Sequence, residues 1–403
     1  MNVLLGHTFY RSTAPSGEDE VFRSERLLLE ESGIRVTTFE RHNDHIDDST
    51  LAGRVRLGMG AAWSRRSYRE LSALIRRARP DVAHFHNTFP QMTPSVWAAC
   101  RDNGVPVVQT LHNYRFVCPQ AMLQRAGRPC EECFGSTFLP ALRNCCYRSS
   151  LPATLAQVWT LALNRAIGSF NLVDRYLALT RFAAARLAAG GIPGGRITVR
   201  PNFLDDSPPP GGGTGGYALF AGRLTPEKGV VTLLRAWERV RELPLKIVGD
   251  GPLLPLLREM ATSKRLPVRF FGRLPRREVL RMIGDAVVQI VPSEWYEGFP
   301  MVVLEAYACG TPVVASRIGS LAEIVEEGRT GFLFEAGNAE DLAATVQGRA
   351  GTPLRLDEMR RYAREHFHGR YSPASGIASL LEIYREVIHE HRARNTGGTP
   401  RLL

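Results

Sequence analysis

Short apolar segments alternate with helical patterns along the whole chain of 403 residues, and this alternation restricts the fold more than any other feature. The segments lack strict polar alternation, which is typical of strands that are buried on both faces of a parallel sheet. Strands that alternate with helices predict an α/β fold. The predicted strands form two series, 2–6, 35–40, 81–86, 106–112 and 175–180, followed by 217–222, 245–250, 268–272, 287–293 and 312–316.

A segment rich in proline and glycine, SPPPGGGTGG at 207–216, separates the two series and has the composition of a linker. It matches G-x-G-x-x-G, but a dinucleotide-binding fingerprint follows a strand and opens a helix, and this segment precedes a strand. We therefore expect two Rossmann-like domains facing each other across a cleft, an N-terminal one over 1–206 and a C-terminal one over 217–372. A helix at about 373–392 is expected to pack back on the N-terminal domain, and 393–403 is expected to be a flexible tail.

Charge and cysteine content restrict the partners and the compartment. The net charge is +11, and residues 1–205 hold 25 Arg, no Lys and 17 Asp and Glu. A basic half is typical of a protein that binds an anionic membrane, a phosphorylated ligand or nucleic acid, although a solvated arginine-rich surface fits equally. An odd count of seven cysteines, with neither a signal peptide nor a long apolar span, predicts a cytoplasmic protein, with peripheral binding to the inner face of the cell membrane left open.

Candidate ligand-binding residues follow two of the predicted strands in the second half. AGRLTPEKG brings Gly222, Arg223 and Lys228 together after 217–222, and this combination is typical of a diphosphate clamp. A surface turn with ordinary basic residues explains the same pattern. Pro226 is predicted to begin a helix there. The segment GDGPLLPLL offers glycines for a tight turn but no candidate catalytic side chain.

The segment EWYEGFPMVVLE, after the strand at 287–293, carries two glutamates. Gly298 and Phe299, with the proline that follows, are predicted to begin a helix whose free N–H groups can bind an anion. Glu297 precedes this helix and Glu305 lies inside it, about 12 Å away at a rise of ~1.5 Å per residue. A carboxylate that accepts two ribose hydroxyls explains Glu305 in an apolar helix, because a buried charge needs such partners. A salt bridge explains it as well.

Together these segments resemble the retaining glycosyltransferases of family 4, which have the GT-B fold, over nearly the whole chain. The E-x7-E motif from Glu297 to Glu305 is the most specific element, and GRLTPEKG and TGFLF match at the expected distances. The resemblance implies that Glu305 holds the donor ribose and that Glu297 contacts the donor sugar. It also implies that Arg223 and Lys228 neutralise the diphosphate leaving group.

The resemblance assigns further residues in both halves. Arg273 and Leu274, in FFGRL, are expected to place backbone near the base. Gly17, in TAPSGEDEVFRSE, is expected to let backbone N–H groups reach the diphosphate, although serine replaces the first of the family's usual two glycines. His112, in TLHNYRFVCP, is expected to lie by the donor sugar, and His86 is a weaker candidate of the same kind.

The implied activity is the transfer of a sugar from a nucleoside diphosphate sugar, linked to UDP or GDP, to a glycan or lipid-linked acceptor with retention at the anomeric carbon. The expected setting is bacterial surface polysaccharide or glycolipid biosynthesis. No Asp-x-Asp motif lies near these segments, so we expect no cofactor beyond the donor and no divalent ion in catalysis. The alternatives are a nucleotide-sugar epimerase, hydrolase or phosphorylase on the same fold, and a non-catalytic binder of nucleotide sugars. Nucleic acid is not an expected partner, because only the net charge supports it.

Five of the seven cysteines lie within 118–148. Cys130 and Cys133, with Cys118 before them and Cys145 or Cys146 after them, could form a structural zinc site. Free or packed thiols explain the same residues, so the metal assignment stays open.

The segment 63–80 has the pattern of an amphipathic helix with a strongly basic side. Such a helix could dock on anionic lipid. An ordinary helix with a solvated basic face is the favoured interpretation. The predicted apolar face consists of Trp63, Leu71, Leu74, Ile75 and Ala78, and the arginines are Arg65, Arg66, Arg69, Arg76, Arg77 and Arg79.

Overall fold

A computed structural model describes residues 1–13, 16–46, 60–135, 137–349 and 353–396, together with residues 50, 53 and 58. The chain divides into two compact units. The N-terminal unit contains Met1–Met122, Glu131–Arg200 and the end of the chain from Ile377, and the C-terminal unit contains Leu123–Cys130 and Pro201–Gly376.

A six-stranded parallel sheet forms the centre of the N-terminal unit. The first eight strands of the chain are β1 (Asn2–Phe9), β2 (Arg35–His42), β3 (Val82–Phe85), β4 (Val107–Leu111), β5 (Gln124–Arg125), β6 (Arg128–Pro129), β7 (Arg175–Ala178) and β8 (Ile197–Val199). β5 and β6 pair with each other, and the other six have the order β2-β1-β3-β4-β7-β8. β5, β6 and β8 were not predicted.

Among the described residues, the helices that precede the second sheet are α1 (Gly17–Glu31), α2 (Arg65–Ala78), α3 (Ser95–Asp102), α4 (Leu139–Arg143), α5 (Leu151–Ala166) and α6 (Arg181–Ala189). The sequence explains why α1 begins at Gly17. Ser16 accepts a hydrogen bond from the Glu18 N–H, and Asp19 accepts one from the Ser16 N–H, which forms a capping box. Gly33, with φ 75°, follows the end of the helix.

The C-terminal unit contains a second six-stranded parallel sheet with the order β11-β10-β9-β12-β13-β14. Its strands are β9 (Ala218–Ala221), β10 (Leu245–Val248), β11 (Val268–Gly272), β12 (Val288–Val291), β13 (Val313–Ser316) and β14 (Gly331–Phe334). The helices that follow α6 are α7 (Val230–Trp237), α8 (Leu254–Ser263), α9 (Arg276–Asp285), α10 (Met301–Ala308), α11 (Leu321–Ile324), α12 (Ala339–Arg349), α13 (Pro353–Arg370) and α14 (Pro373–Thr396).

α14 is the helix that the sequence predicts over 373–392, and it continues to Thr396. Leu380, Ile383, Tyr384 and Val387 belong to the same hydrophobic cluster as residues of β1 and α1. These side chains are therefore part of the core of the N-terminal unit. Of the predicted flexible tail, 393–396 are helical, and 397–403 lie outside the described residues.

The segment 207–216, predicted as a linker, belongs to the C-terminal unit. The Gly211 N–H donates to the Cys309 carbonyl at 2.9 Å, and the Gly213 N–H donates to the Gly284 carbonyl at 3.0 Å. Nη2 of Arg360 donates to the Gly211 carbonyl at 2.9 Å. Hydrogen bonds to its backbone thus hold the segment against the C-terminal unit. Its composition does not indicate these contacts.

Candidate functional site

The carboxyl ends of β9 and β12 place Lys228 and Glu297 in direct contact. These strands are neighbours in the sheet although β10 and β11 lie between them in sequence, so the strand order reverses here. Open α/β sheets bind their ligands at such a reversal. Nζ of Lys228 donates to Oε1 of Glu297 at 2.6 Å, and Oγ of Ser293 donates to the same oxygen at 2.7 Å. Two of the predicted residues are therefore brought together.

Glu297 is 5% exposed, and its charge depends on these contacts. Burial raises its pKa, but the charge and hydrogen bond of Lys228 and the hydrogen bond from Ser293 outweigh burial. The net effect is a pKa below the usual value for glutamate. The side chain is therefore an ionised carboxylate at neutral pH. Lys228 binds it at the carboxyl ends of β9 and β12, where the strand order reverses.

Glycine makes this close approach possible. Gly229 has φ 65°, and a Cβ added there would lie 1.8 Å from the Pro292 carbonyl oxygen. Only glycine lets the loop after β9 lie against the end of β12. Pro226 begins a helix as predicted, although a short one: Pro226–Lys228 is a 3-10 helix, and α7 follows from Val230.

Arg223 and Gly222 lie at the same end of β9. The Gly222 N–H donates to the Val248 carbonyl at 3.0 Å, so Gly222 continues the pairing with β10. The Arg223 side chain is exposed, and its Nη2 lies 3.6 Å from Oε1 of Glu227. This weak, solvent-facing pair leaves the guanidinium accessible to an anion.

The second glutamate, Glu305, lies in α10 among other charged groups. Nε of Arg276 is 3.8 Å from Oε1 of Glu305, while the two Nη atoms of Arg276 each donate to Asp206 at 2.9 Å. Burial raises the pKa of Glu305, the positive charge of Arg276 lowers it, and Asp206 and Asp205 raise it, so the pKa lies above the usual value. A partner that offers hydroxyl donors would complete this site.

The start of α10 differs from the prediction. The helix begins at Met301 with Pro300 as its N-cap, rather than at Gly298. Glu305 therefore lies just past the first turn, and the 12 Å estimate, which assumed helix from Glu297 onward, does not apply. Phe299 is buried, and its ring centroid lies 5.9 Å from that of Tyr371, so its side chain packs in the core.

Arg273 and Leu274 follow β11, as the sequence predicts. The Arg273 side chain is exposed, and its Nε lies 3.6 Å from Oδ2 of Asp250. Leu274 is partly buried. Their backbone contact with a base stays a prediction.

His112 lies in a pocket of the N-terminal unit at the ends of β3 and β4. The pocket is lined by Glu18, His86, Asn87, Thr88, Phe89, Thr110, Leu111, His112, Asn113, Arg115 and Phe116. Nδ2 of Asn113 donates to Oε1 of Glu18 at 2.7 Å. Nε and Nη1 of Arg115 are buried and have no hydrogen-bond partner among the described residues. The pocket therefore offers a histidine, polar side chains and an incompletely bonded cation.

A buried chain of side chains leads from His112 into the core, and we call Glu25, His86 and His112 the histidine relay. Nε2 of His112 lies 2.9 Å from Nδ1 of His86, and Nε2 of His86 lies 3.1 Å from Oε1 of Glu25. Glu25 is further bound by Nδ1 of His84 at 2.9 Å and Nη1 of Arg200 at 2.9 Å.

The charges of the relay determine its tautomers. Burial raises the pKa of Glu25, but Arg200, His84 and His86 hold it well below its usual range. Burial lowers the pKa of His86 to about 4 and that of His112 well below its usual value. An ionised Glu25 therefore accepts from Nε2–H of neutral His86, whose Nδ1 accepts from Nε2–H of His112. This leaves Nδ1 of His112 without a proton.

Gly17 is the first residue of α1 and is exposed. A Cβ added there would meet nothing within 4 Å, so the fold itself does not require glycine. Its contact with a diphosphate stays a prediction.

Within the described part of the chain, one group of three His, Cys, Asp or Glu side chains has ligand atoms within 4.8 Å of one another, and it is Glu25, His84 and His86. These atoms are already hydrogen-bonded to each other and to Arg200, whose charge opposes a metal ion. No three of the cysteines proposed for zinc form such a group among the described residues, and none of the seven cysteines is in a disulfide. A structural zinc site therefore gains no support from this geometry.

Several residues of the site were not singled out from the sequence: Glu25, His84, Arg200, Asp205, Asp206, Arg276 and Ser293. For one of them, Glu25, the sequence contains an indication of a buried partner. Glu25 stands in the apolar stripe of α1, between the buried residues Phe22 and Leu29. A carboxylate at such a position indicates a buried partner.

Two family models match the chain. The model described as Glycosyltransferase Family 4 matches residues 27–207, and the model described as Glycosyl transferases group 1 matches residues 210–366. D-inositol 3-phosphate glycosyltransferase 2 of Catenulispora acidiphila is 32% identical over 261 residues, which are 57% of this chain and 60% of that protein. The matches span 41–60% of the length of the first curated relatives.

Solved structures match over nearly the whole chain. The Anabaena protein HepE in complex with UDP has a TM-score of 0.65 and 17% identity, covering 96% of this chain and 100% of that one. Sucrose-phosphate synthase from Thermosynechococcus elongatus has a TM-score of 0.67 and 18% identity, covering 97% of this chain and 100% of that one. At this identity the likeness shows the fold alone.

Proposed function

Because the chain belongs to glycosyltransferase family 4 and has the GT-B fold, we propose that it transfers a sugar from a nucleoside diphosphate sugar to an acceptor hydroxyl, with retention at the anomeric carbon. The observation that carries the proposal is the contact between Lys228 and Glu297 at the strand reversal of the C-terminal unit. This is where an α/β sheet binds a nucleotide, and it holds a partly buried cation that suits a diphosphate.

The proposed donor contacts follow from the chemistry of each group. Lys228 has three N–H donors, so its bond to Glu297 leaves two for phosphate oxygens. Arg223 is accessible for a second phosphate contact. Glu305, as a carboxylate, accepts the two ribose hydroxyls, and Glu297 contacts the donor sugar. UDP is the proposed nucleotide, because the structural neighbour HepE is described in complexes with UDP and with UDP-glucose.

The proposed reaction breaks the bond between the anomeric carbon and the diphosphate oxygen. The acceptor oxygen bonds to the same face of that carbon, and its proton passes to the departing phosphate oxygen. Lys228 and Arg223 stabilise the charge that develops on the diphosphate, so the proposal requires no divalent ion. Oε1 of Glu297 already accepts two hydrogen bonds, which makes it a poor nucleophile and disfavours a covalent intermediate.

We assign the acceptor to the pocket of the N-terminal unit. His112, whose contact with the donor sugar stays a prediction, offers an unprotonated Nδ1 to a sugar hydroxyl, and the unpartnered nitrogens of Arg115 suit an anionic group of the acceptor such as phosphate. The proposed acceptor is a glycan or a lipid-linked saccharide that carries phosphate, of the kind used in bacterial surface polysaccharide or glycolipid biosynthesis.

The test combines binding and turnover. Saturation-transfer NMR with UDP-, GDP- and ADP-sugars should show selective binding that Glu305→Ala abolishes. Turnover should release nucleotide only when acceptor is added, should continue with EDTA present, and should give a product whose anomeric proton coupling matches that of the donor. Nucleotide release without acceptor would indicate a hydrolase, isomerised donor would indicate an epimerase, and binding without turnover against a broad acceptor panel would indicate a non-catalytic binder.

A further inference from the structure

α5 has its apolar side outward and its polar side inward. Its buried positions include Thr154, Gln157, Thr160 and Asn164. The large exposed side chains on and directly after it are apolar: Leu151 is 53% exposed, Leu155 55%, Trp159 59% and Ile167 56%. A helix on the surface of a water-soluble domain normally has the opposite arrangement.

Hydrogen bonds fix this orientation. Oγ1 of Thr154 accepts a hydrogen bond from the Tyr147 N–H, which lies before the helix, at 3.0 Å, and Nδ2 of Asn164 donates to the Ala62 carbonyl at 3.3 Å. Oγ of Ser169 donates to Oδ1 of Asn164 at 2.8 Å. The buried polar groups are thus satisfied inside the unit, and rotating the helix to bury its leucines would break these bonds.

Three of the exposed side chains lie on one face of α5. Leu151, Leu155 and Trp159 recur every fourth residue and therefore lie on one face of the helix. The bond from Asn164 to Ala62 brings the adjacent Trp63, 37% exposed, to the same region. We call Trp63, Leu151, Leu155, Trp159 and Ile167 the outer apolar face. Contiguous exposed apolar groups of this kind mark interaction surfaces.

The charged residues within the segment that carries α5 have one sign. Residues 133–173 contain no Asp or Glu but three arginines, of which Arg143 and Arg148 are exposed. Trp63 is followed by the exposed Arg65 and Arg66. Apolar side chains with two tryptophans and a cationic rim are the combination that enters the interface of an anionic bilayer.

The structure does not support α2 as the helix that docks on lipid. The sequence predicts an apolar face there that includes Leu71 and Ile75, but these side chains are 0% and 4% exposed. They belong to the interior, so α2 is an ordinary helix with a solvated basic side. Of that predicted face, Trp63 is exposed, and it lies next to α5.

We propose that the outer apolar face docks the protein on the surface of an anionic lipid bilayer. Leu151, Leu155 and Trp159 enter the headgroup region, and the surrounding arginines contact lipid phosphates. A second copy of the chain is a poorer occupant, because a symmetric contact would bring two arginine rims together. The proposal concerns location, and it does not depend on glycosyl transfer.

Vesicle co-sedimentation tests the proposal without donor or acceptor. The full chain should bind vesicles of equal parts phosphatidylcholine and phosphatidylglycerol, and bind pure phosphatidylcholine weakly. Leu155→Ser/Trp159→Ser should lower the partition coefficient about tenfold or more, since two buried apolar groups are lost. Leu256→Ser is the matched control: Leu256 is 45% exposed on α8, and its loss should change nothing. Equal binding by the double variant, or no binding by the wild type, overturns the proposal.

Two further experiments distinguish docking by the outer apolar face from attraction by net charge and from dimerisation. Arg143→Gln/Arg148→Gln should weaken binding, whereas Arg76→Gln/Arg77→Gln, at the far end of α2, should not; equal losses would mean that net charge alone attracts the protein. Sedimentation equilibrium gives the remaining outcome. If the wild type is a dimer that Leu155→Ser/Trp159→Ser converts to a monomer, a second copy covers this face and the membrane proposal fails.

Discussion

Lys228 and Glu297 form a 2.6 Å ion pair although 69 residues separate them in the sequence. The contact joins the loops after two strands that are neighbours only in the folded sheet. It holds a buried carboxylate ionised and fixes the position of a cation that we propose binds the diphosphate of the donor.

Removing Lys228 should destabilise the protein in a pH-dependent way. Lys228→Met leaves the carboxylate of Glu297 buried without its cation, which should lower the free energy of unfolding by about 2 kcal/mol at pH 7. The folded pKa of Glu297 is depressed, so the pair stabilises the fold above the unfolded glutamate pKa, and this contribution is lost as pH falls through the folded pKa. Urea unfolding at pH 7 and near pH 4 measures the difference. Lys228→Met/Glu297→Gln should recover most of the loss, and failure to do so would contradict the assignment.

Donor binding should weaken as pH falls because of Glu305. Its pKa is raised, so it takes up a proton at a higher pH than an ordinary glutamate and then accepts fewer hydrogen bonds from ribose. Titration calorimetry with UDP-glucose, which lacks the titrating terminal phosphate of UDP, over a descending pH series should show this loss. Arg276→Gln removes the cation that lowers the pKa and should move the midpoint to higher pH, whereas Arg281→Gln, on the same helix, should leave it unchanged.

Glu305→Gln provides the companion measurement. UDP affinity should fall about tenfold or more, with no pH dependence from this group, because an ionised acceptor is lost. The ligand-free variant should be more stable than the wild type at neutral pH, since burying the charged form of Glu305 is unfavourable there, and the gain should vanish below the unfolded pKa. UDP affinity equal to the wild type would exclude Glu305 from the donor site.

The order of strands and helices could be predicted because the alternation of apolar and helical segments is local. The position of Glu297 and Glu305 after β12 followed from the same pattern. The buried contacts of the histidine relay could not be predicted in this way. Glu25 bonds to His86 across 61 positions and to Arg200 across 175. Such contacts depend on sheet order, which no local pattern contains.

The shifted start of α10 has a different cause. Proline at 300 disfavours helical backbone at the preceding Phe299, so the segment from Glu297 stays non-helical and the helix begins at Met301. The inverted polarity of α5 was also missed, because its composition reads as an ordinary docked helix. Of the helices in the described residues, none is long and apolar enough to cross a membrane.

Gly229→Ala should damage the donor site through the backbone. The residue has φ 65°, and the new methyl group would overlap the Pro292 carbonyl, so the loop that carries Lys228 must move. We expect a loss of about 2 kcal/mol or more in unfolding free energy together with weaker UDP binding. Gly348→Ala is the control, because nothing lies near that position in α12 and alanine favours a helix. Normal UDP binding by Gly229→Ala would show that the loop adapts.

The histidine relay should fix the tautomer of His112. Long-range proton–nitrogen correlation spectra of the wild type should place the proton on Nε2 between pH 6 and pH 8, because the pKa of His112 is well below that range. Glu25→Gln offers His86 either an oxygen or an NH2 group, so both tautomers of His112 should appear, and kcat should fall about 10- to 100-fold. Asp19→Asn, at the neighbouring buried pair with His7, should leave the His112 tautomer unchanged. A single Nε2 tautomer in Glu25→Gln would show that the pocket, not the relay, orients His112.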